Sequence, residues 1–206
     1  DGDRRRRLDR WREQASDIVL AQVNKLANFS TGTIVRQWRE SGAGGDAGAW
    51  SQRSSSAKNA APVRLSEALG VAVKGKEWLI PPAFVQAMRD AGMRPRRIVE
   101  LNKKDEASAS AFRKAIVEAK ARDDKYGAAV YAYEVDQYRN MRLFLTEDGK
   151  VGFALKPDGD IVSCFSDGGG HMSYMLQLAI NQGGWKADSF DTALPYIYAA
   201  HGLRPV

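Results

Sequence analysis

Cysteine and histidine are scarce in this chain of 206 residues, which has one cysteine, Cys164, and two histidines, His171 and His201. A single cysteine excludes a disulfide bond within the chain. Zinc sites are built mostly from clustered cysteine and histidine side chains, so we expect no zinc site and predict no metal cofactor. We expect Cys164 to be a small core residue, because the sequence shows no base beside it that would activate a thiol.

Long apolar runs are absent as well. No run approaches the roughly 20 residues that a membrane-spanning helix needs, so we expect a soluble protein with no membrane partner. The charged first residues are not followed by an apolar region, so this stretch is not a secretory signal. The chain lacks a starting methionine and stops abruptly at Val206, and we therefore expect a fragment or a processed product.

Basic charge is concentrated in the first two-thirds of the chain. Residues 1–126 hold 25 Lys and Arg against 16 Asp and Glu, whereas residues 127–206 hold 6 against 9. Such a basic region can bind nucleic acid or an acidic protein partner. Contacts of this kind are predicted for the arginines near the N-terminus: Arg4, Arg5, Arg6, Arg7, Arg10 and Arg12. A solvated chain end accounts for the same run, and both interpretations stay open.

Composition shifts divide the chain into four parts. Residues 1–40 are predicted to form a helical basic arm, because apolar residues recur there at helical spacing. Glycine and serine dominate residues 41–62, which we interpret as a linker. Residues 63–104 are predicted to be a small α/β or helical connector, with two short strands around Lys74 and Gly75. Residues 105–206 are predicted to form the main domain, truncated at its C-terminus.

Several helices and turns follow from local signals. Two prolines predict a helix that starts at Pro82 and stops at Gly92. Asp105 or Ser108 is predicted to cap a helix that runs to about Arg122. Aspartate–glycine pairs at 148–149 and 158–159 predict an antiparallel meander of strands at 142–146, 151–155 and 160–165.

The remaining pattern predicts further strands at 128–133 and 185–190 and one starting at 203, with helices at 172–181 and 192–200. We therefore predict a layered α+β or α/β fold in which helices flank a mixed, mostly antiparallel sheet.

A glycine-rich loop lies between the predicted strand 160–165 and the predicted helix 172–181. Helix N-termini present unpaired N–H groups, and glycines let a phosphate approach the backbone. The cofactor-binding residues predicted here are Asp167, Gly168, Gly169, Gly170, His171 and Met172. A plain flexible turn is the alternative, and a solvated surface position is the alternative for His171.

Near the end of the chain, three residues separate the pair Ile197 and Tyr198 from the pair Gly202 and Leu203. Together with the order of the predicted elements, this segment resembles the GNAT acyltransferases over about residues 106–206. The runs 153–165 and 191–206 look like GNAT-like domains of proteins carried by bacteriophages and prophages. The resemblance implies a location in the cytoplasm of a bacterial host or in a phage particle.

The resemblance also implies an activity, the transfer of an acyl group from acetyl-CoA or another acyl-CoA to an unknown amine. Tyr198 would protonate the CoA thiolate, and Glu134 and Asp136 would be candidates for the general base. The loop departs from the family pattern, since Ser166 and Asp167 stand where Gln or Arg is usual. A catalytically degenerate structural protein of a phage-borne assembly, or a nucleic-acid-binding protein, are the alternatives.

Overall fold

The computed structural model of the chain describes residues 50–52, 75–90, 92–122, 130–167, 170–187 and 198. Within these residues the fold is α+β, with six strands in one sheet and four helices. No helix in this part of the chain combines the length and the apolar character that crossing a membrane requires. The predicted arm at 1–40, with its arginines, lies outside the described residues, as do most of the predicted linker and the residues after 198.

The sheet is antiparallel throughout, and its strand order follows the sequence. The predicted meander is confirmed as its last three strands. The strands are β1 (Ser51–Gln52), β2 (Gly75–Leu79), β3 (Ile98–Leu101), β4 (Arg142–Thr146), β5 (Gly152–Leu155) and β6 (Ile161–Phe165).

The helices are α1 (Pro82–Asp90), α2 (Glu106–Arg122), the single turn α3 (Val135–Tyr138) and α4 (His171–Asn181). Three of them begin within one residue of the predicted position, and the fourth, α3, was not predicted. The Asp105 carboxylate accepts a hydrogen bond from the backbone N–H of Ser108 at 3.1 Å, which confirms Asp105 as the cap of α2. Gly92 follows α1 with a φ of 68°, a value that suits glycine at a helix end.

Two hydrophobic clusters cover the two faces of the sheet. One joins α2 and Tyr138 of α3 to Val99, Leu145 and Phe165. The other joins α1 and α4 to Ile98, Phe144, Phe153 and Ile161. Neighbouring residues of β3, β4 and β5 alternate between the clusters, as strand geometry requires. The sheet is therefore the middle of three layers.

Residues 130–133 are not a strand, which corrects the sequence prediction for 128–133 where the structure describes it. Their backbone is held by side chains instead of by a sheet. Arg113 donates to the carbonyl of Tyr133 at 3.1 Å, and Lys120 donates to that of Val130 at 3.0 Å. Since these two carbonyl groups already accept hydrogen bonds from side chains, they do not pair with a neighbouring strand. The apolar pattern of the segment therefore predicted a strand that does not form at 130–133.

The connector predicted at 63–104 contributes two strands to the same sheet, so the sheet extends across the predicted boundary at 104 and 105. β3 was not predicted. Gly75 is the first residue of β2, whereas the sequence placed it in a turn. A Cβ at Gly75 would lie 2.5 Å from Cγ1 of Val99, so the glycine permits a close approach between β2 and β3.

The chain after α4 returns to the sheet. Gly183 and Gly184 follow the end of α4, as predicted. Of the strand predicted at 185–190, the described part forms a single parallel bridge between Lys186 and Asp160. In the helix predicted at 192–200, Tyr198 is described and is helical.

Candidate functional site

Strand β6 contains a bulge at its centre. Gly152 pairs with Phe165, and Ala154 pairs with Val162. Between these two pairs β6 contains one residue more than β5. Ser163 takes up the difference with a φ of 52°, which is unusual for a residue other than glycine. Bulges bend a strand and are frequent beside active sites, so the bulge marks β6 as a candidate site.

The bulge is fixed on the α2 face of the sheet. The Ser163 hydroxyl lies 2.8 Å from the hydroxyl of Tyr138, and it donates to the carbonyl of Tyr131 at 3.0 Å. The Tyr138 hydroxyl also accepts the backbone N–H of Tyr133 at 3.0 Å. These bonds tie the bulge to the 130–133 segment and to α3, so the strained backbone is held by several independent contacts.

On the opposite face, Cys164 packs against the α4 cluster and shares a hydrogen bond with the Tyr198 hydroxyl. Burial raises the pKa of the Cys164 thiol to about 12, although the bond from Tyr198 opposes this rise. Burial and the neighbouring sulfur raise the pKa of Tyr198 well above its ordinary value. Both groups therefore stay protonated at neutral pH. The expectation that Cys164 is a core residue agrees with these contacts.

Where β6 begins, it touches the chain that follows α4. The Ile161 N–H donates to the carbonyl of Lys186 at 2.8 Å, and the Trp185 N–H donates to that of Gly159 at 3.0 Å. In the described residues this parallel contact does not continue beyond the bulge. Asp160 is buried at the junction, where it accepts a hydrogen bond from Lys156 at 2.8 Å.

The far end of β6 leads to the first turn of α4. Gly170 precedes the helix with a φ of 77°. His171 is 7% exposed and shares a hydrogen bond with the Tyr174 hydroxyl at 3.1 Å, so the solvated position considered for it is wrong. Burial, with the positive charge of Arg96, lowers the pKa of His171. The imidazole is therefore neutral at pH 7.

Asp167, at the start of the glycine-rich loop, pairs with Arg96. The two guanidinium nitrogens Nη1 and Nη2 donate to its two carboxylate oxygens at 3.0 and 2.9 Å. Nε of Arg96 lies 3.2 Å from Asp148. The sequence predicted Asp167 but not its partner, which belongs to a basic cluster with Arg94 and Arg97. The two residues are 71 positions apart, so no local pattern connects them.

The two carboxylates predicted as general bases lie on the α2 face. Glu134 caps α3 and lies 3.5 Å from Arg113, and Asp136 lies 3.4 Å from Arg139. Both side chains are largely exposed. Tyr198 contacts the opposite face, so the described contacts do not bring the three predicted catalytic residues together.

The other predicted cofactor residues are described in part. Met172 is half-buried against the α4 cluster, and Gly168 and Gly169 lie outside the described residues. Within the described part of the chain, no three histidine, cysteine or acidic side chains are grouped so that they could hold a metal ion.

Comparison of the chain with known protein families, with curated proteins and with solved structures finds no match. The case for a function therefore depends on the geometry of β6, α4 and Tyr198.

Proposed function

We propose that this chain is a GNAT-like N-acyltransferase that moves an acyl group from acyl-CoA to an amine. One observation carries the proposal, the hydrogen bond from the Tyr198 hydroxyl to the sulfur of Cys164. Tyr198, which the family resemblance would make the acid, thus contacts β6 at Cys164, one residue after Ser163 of the bulge. The partner is a sulfur atom, as in CoA, although Cys164 is a neutral thiol and not a thiolate.

The arrangement around β6 suits a thioester lying along this strand. β6 and the segment after α4 touch in parallel at Asp160 and Lys186, and the bulge follows three residues after Asp160. In the proposed complex the acyl-CoA lies along β6 beyond the bulge. Its diphosphate lies at residues 167–172, where the α4 N-terminus favours an anion.

The protonation states fit the proposed step. The amine attacks the thioester carbonyl, the C–S bond breaks, and the CoA sulfur leaves with its electron pair. Tyr198 holds its proton at neutral pH, as a donor to that sulfur must, although its raised pKa makes it a weaker acid than an ordinary tyrosine. Glu134 and Asp136 lie on the other face of the sheet, so in this proposal the proton from the amine passes to solvent. Positioning of amine and thioester supplies much of the rate.

Binding and turnover of acetyl-CoA test the proposal. Calorimetric titration with acetyl-CoA and CoA measures affinity, and release of free CoA across a panel of amines measures transfer. Tyr198→Phe is expected to lower kcat by about 10²–10⁴-fold, because it removes the acid, with little change in acetyl-CoA affinity. Tyr131→Phe is the matched control, since its exposed ring lies at the 130–133 segment on the other face.

Either of two results would refute the proposal. One is an absence of acetyl-CoA binding at millimolar concentration. The other is transfer that Tyr198→Phe and Tyr131→Phe leave equally unchanged, which would mean that the Tyr198 hydroxyl has no part in the reaction.

A second candidate is a catalytically inactive GNAT-like protein that serves as a structural part of a phage-borne assembly. The carboxylate of Asp167 favours it, because an anion at the α4 N-terminus competes with phosphate. An absence of CoA binding, combined with a stable fold, is the result expected for this candidate.

A further inference from the structure

Arg96 reaches the α4 N-terminus from the segment just before β3. Its guanidinium is shared between Asp167 and Asp148, while neighbouring His171 is neutral. Two carboxylates thus surround one cation. The contact is not sealed from solvent, since the side chains of Arg96 and Asp167 are 20% and 21% exposed.

The geometry of this pair is one that a phosphate group can reproduce. A guanidinium presents two parallel N–H groups, and these match the oxygens of a carboxylate or of a phosphate equally well. Asp167 lies three residues before Gly170, the N-cap of α4. A phosphate bound at this helix N-terminus would therefore meet the Nη atoms that now hold Asp167.

Ser173, in the first turn of α4, gives an independent observation at this position. Its hydroxyl is buried, with the side chain 1% exposed, and it has no hydrogen-bond partner within the described part of the chain. Helical side chains lean toward the N-terminus, so this hydroxyl lies over the turn that begins the helix. A buried hydroxyl without a partner destabilises the fold, and a phosphate oxygen at the N-terminus would supply an acceptor.

We infer that the guanidinium of Arg96 binds the diphosphate of acyl-CoA. In the protein without acyl-CoA, the Asp167 carboxylate binds the same two Nη atoms. This inference depends on the proposed function, because it names the residue that holds the cofactor at the same site. Binding exchanges one partner for another: the Nη atoms of Arg96 leave Asp167 for the diphosphate, and Nε keeps Asp148. Arg96 supplies the cation that Gln or Arg of the family loop would otherwise provide.

The test is calorimetric titration of the full chain with CoA, inorganic pyrophosphate and pantetheine, which lacks the diphosphate. Asp167→Asn is expected to tighten CoA about fivefold, because the competing carboxylate is removed. Arg96→Met is expected to weaken CoA and pyrophosphate by about 10- to 100-fold. Neither change should alter pantetheine binding.

Arg97→Met is the matched control. Arg97 is the next residue along the chain, and its substitution removes the same positive charge. In contrast to Arg96, it pairs with Glu77 and Glu147, away from the loop. Its substitution should leave the ratio of CoA to pantetheine affinity unchanged. Thermal melts check that each variant is folded. If Arg96→Met does not fold, Asp167→Asn carries the test alone, since Asn has the same shape as Asp.

The outcomes separate this inference from the proposed function. CoA affinity that is unchanged in Asp167→Asn and in folded Arg96→Met overturns the inference and leaves the acyltransferase proposal standing. Pyrophosphate binding that depends on Arg96, without binding of CoA or acetyl-CoA, refutes the acyltransferase and overturns the assignment of this anion site to acyl-CoA. An absence of pyrophosphate and CoA binding in the wild type and in Asp167→Asn overturns both.

Discussion

At the scale of single residues, the site is defined by which groups hold a proton at neutral pH. Burial disfavours the charged form of Asp167, but hydrogen bonds and the charge of Arg96 outweigh it and lower its pKa. Burial raises the pKa of Cys164, because the hydrogen bond with Tyr198 opposes it only in part, and burial raises the pKa of Tyr198 as well. The loop thus carries an ionised pair, whereas Tyr198 faces a neutral thiol.

Thiol labelling tests the raised pKa of Cys164, and it reports on this residue alone because the chain has no other cysteine. Raising the thiol pKa from 9.0 to about 12 lowers the thiolate fraction about a thousandfold at pH 7.5. We expect the folded protein to react with a thiol reagent about 100- to 1,000-fold more slowly than the chain in urea. Its rate should keep rising above pH 9, where the rate of the unfolded chain levels off.

Two variants check the origin of this slow reaction. Cys164→Ser should give no labelling, and Tyr198→Phe should slow it further, because the Tyr198 hydroxyl donates the bond that lowers the thiol pKa. A folded-state rate that levels off near pH 9 would contradict the raised pKa.

At the scale of elements, helix α2 depends on one capping residue. The Asp105 carboxylate accepts hydrogen bonds from the backbone N–H and the hydroxyl of Ser108, at 3.1 and 2.6 Å. Asp105→Ala is expected to lower the free energy of unfolding by about 1–2 kcal/mol, since it also leaves a buried hydroxyl without its acceptor. Urea unfolding measures this loss as a lower midpoint at an unchanged slope.

Ser110→Ala is the control for the cap. Ser110 is an exposed residue of the same helix, and its substitution should change the free energy of unfolding by less than about 0.5 kcal/mol. Equal midpoints for the two variants would show that Asp105 does not stabilise α2.

Elements with strong local signals were predictable from the sequence, and the others were not. The Pro82 start of α1, the Asp105 cap and the two aspartate–glycine turns each depend on a few adjacent residues. β3 lacks such signals, because it is four residues long and has an arginine pair before it. The 130–133 segment has an apolar pattern, but distant side chains satisfy its backbone, and no local pattern indicates that.

The residues of the candidate site also fall into those with a local sequence signal and those without one. The glycine-rich loop and Tyr198 were found from short motifs. Arg96 and Ser163 were missed, because their roles arise from contacts with residues far along the chain: Asp167 for Arg96, and Tyr131 and Tyr138 for Ser163. A pairing of this kind exists only after the sheet has formed.

At the scale of the whole molecule, one ion pair joins five parts of the fold. Glu100 of β3 accepts two hydrogen bonds from Arg142 of β4, at 2.7 and 3.1 Å. It also accepts bonds from Trp78 of β2 at 3.0 Å and from Gln52 of β1 at 3.4 Å. Arg142 in turn donates to Gln182 at the end of α4 at 2.9 Å.

This network should behave as a unit when it is broken. The side chains of Glu100 and Arg142 are 14% and 31% exposed, so removing one leaves the other poorly solvated. Arg142→Leu is expected to lower the free energy of unfolding by about 2 kcal/mol. In Glu100→Gln/Arg142→Leu the loss should be smaller than the sum of the single losses by about 1 kcal/mol or more. Urea unfolding of the wild type, Glu100→Gln, Arg142→Leu and the double variant measures this coupling. Losses in the free energy of unfolding that add within about 0.3 kcal/mol would show that the pair does not link the strands energetically.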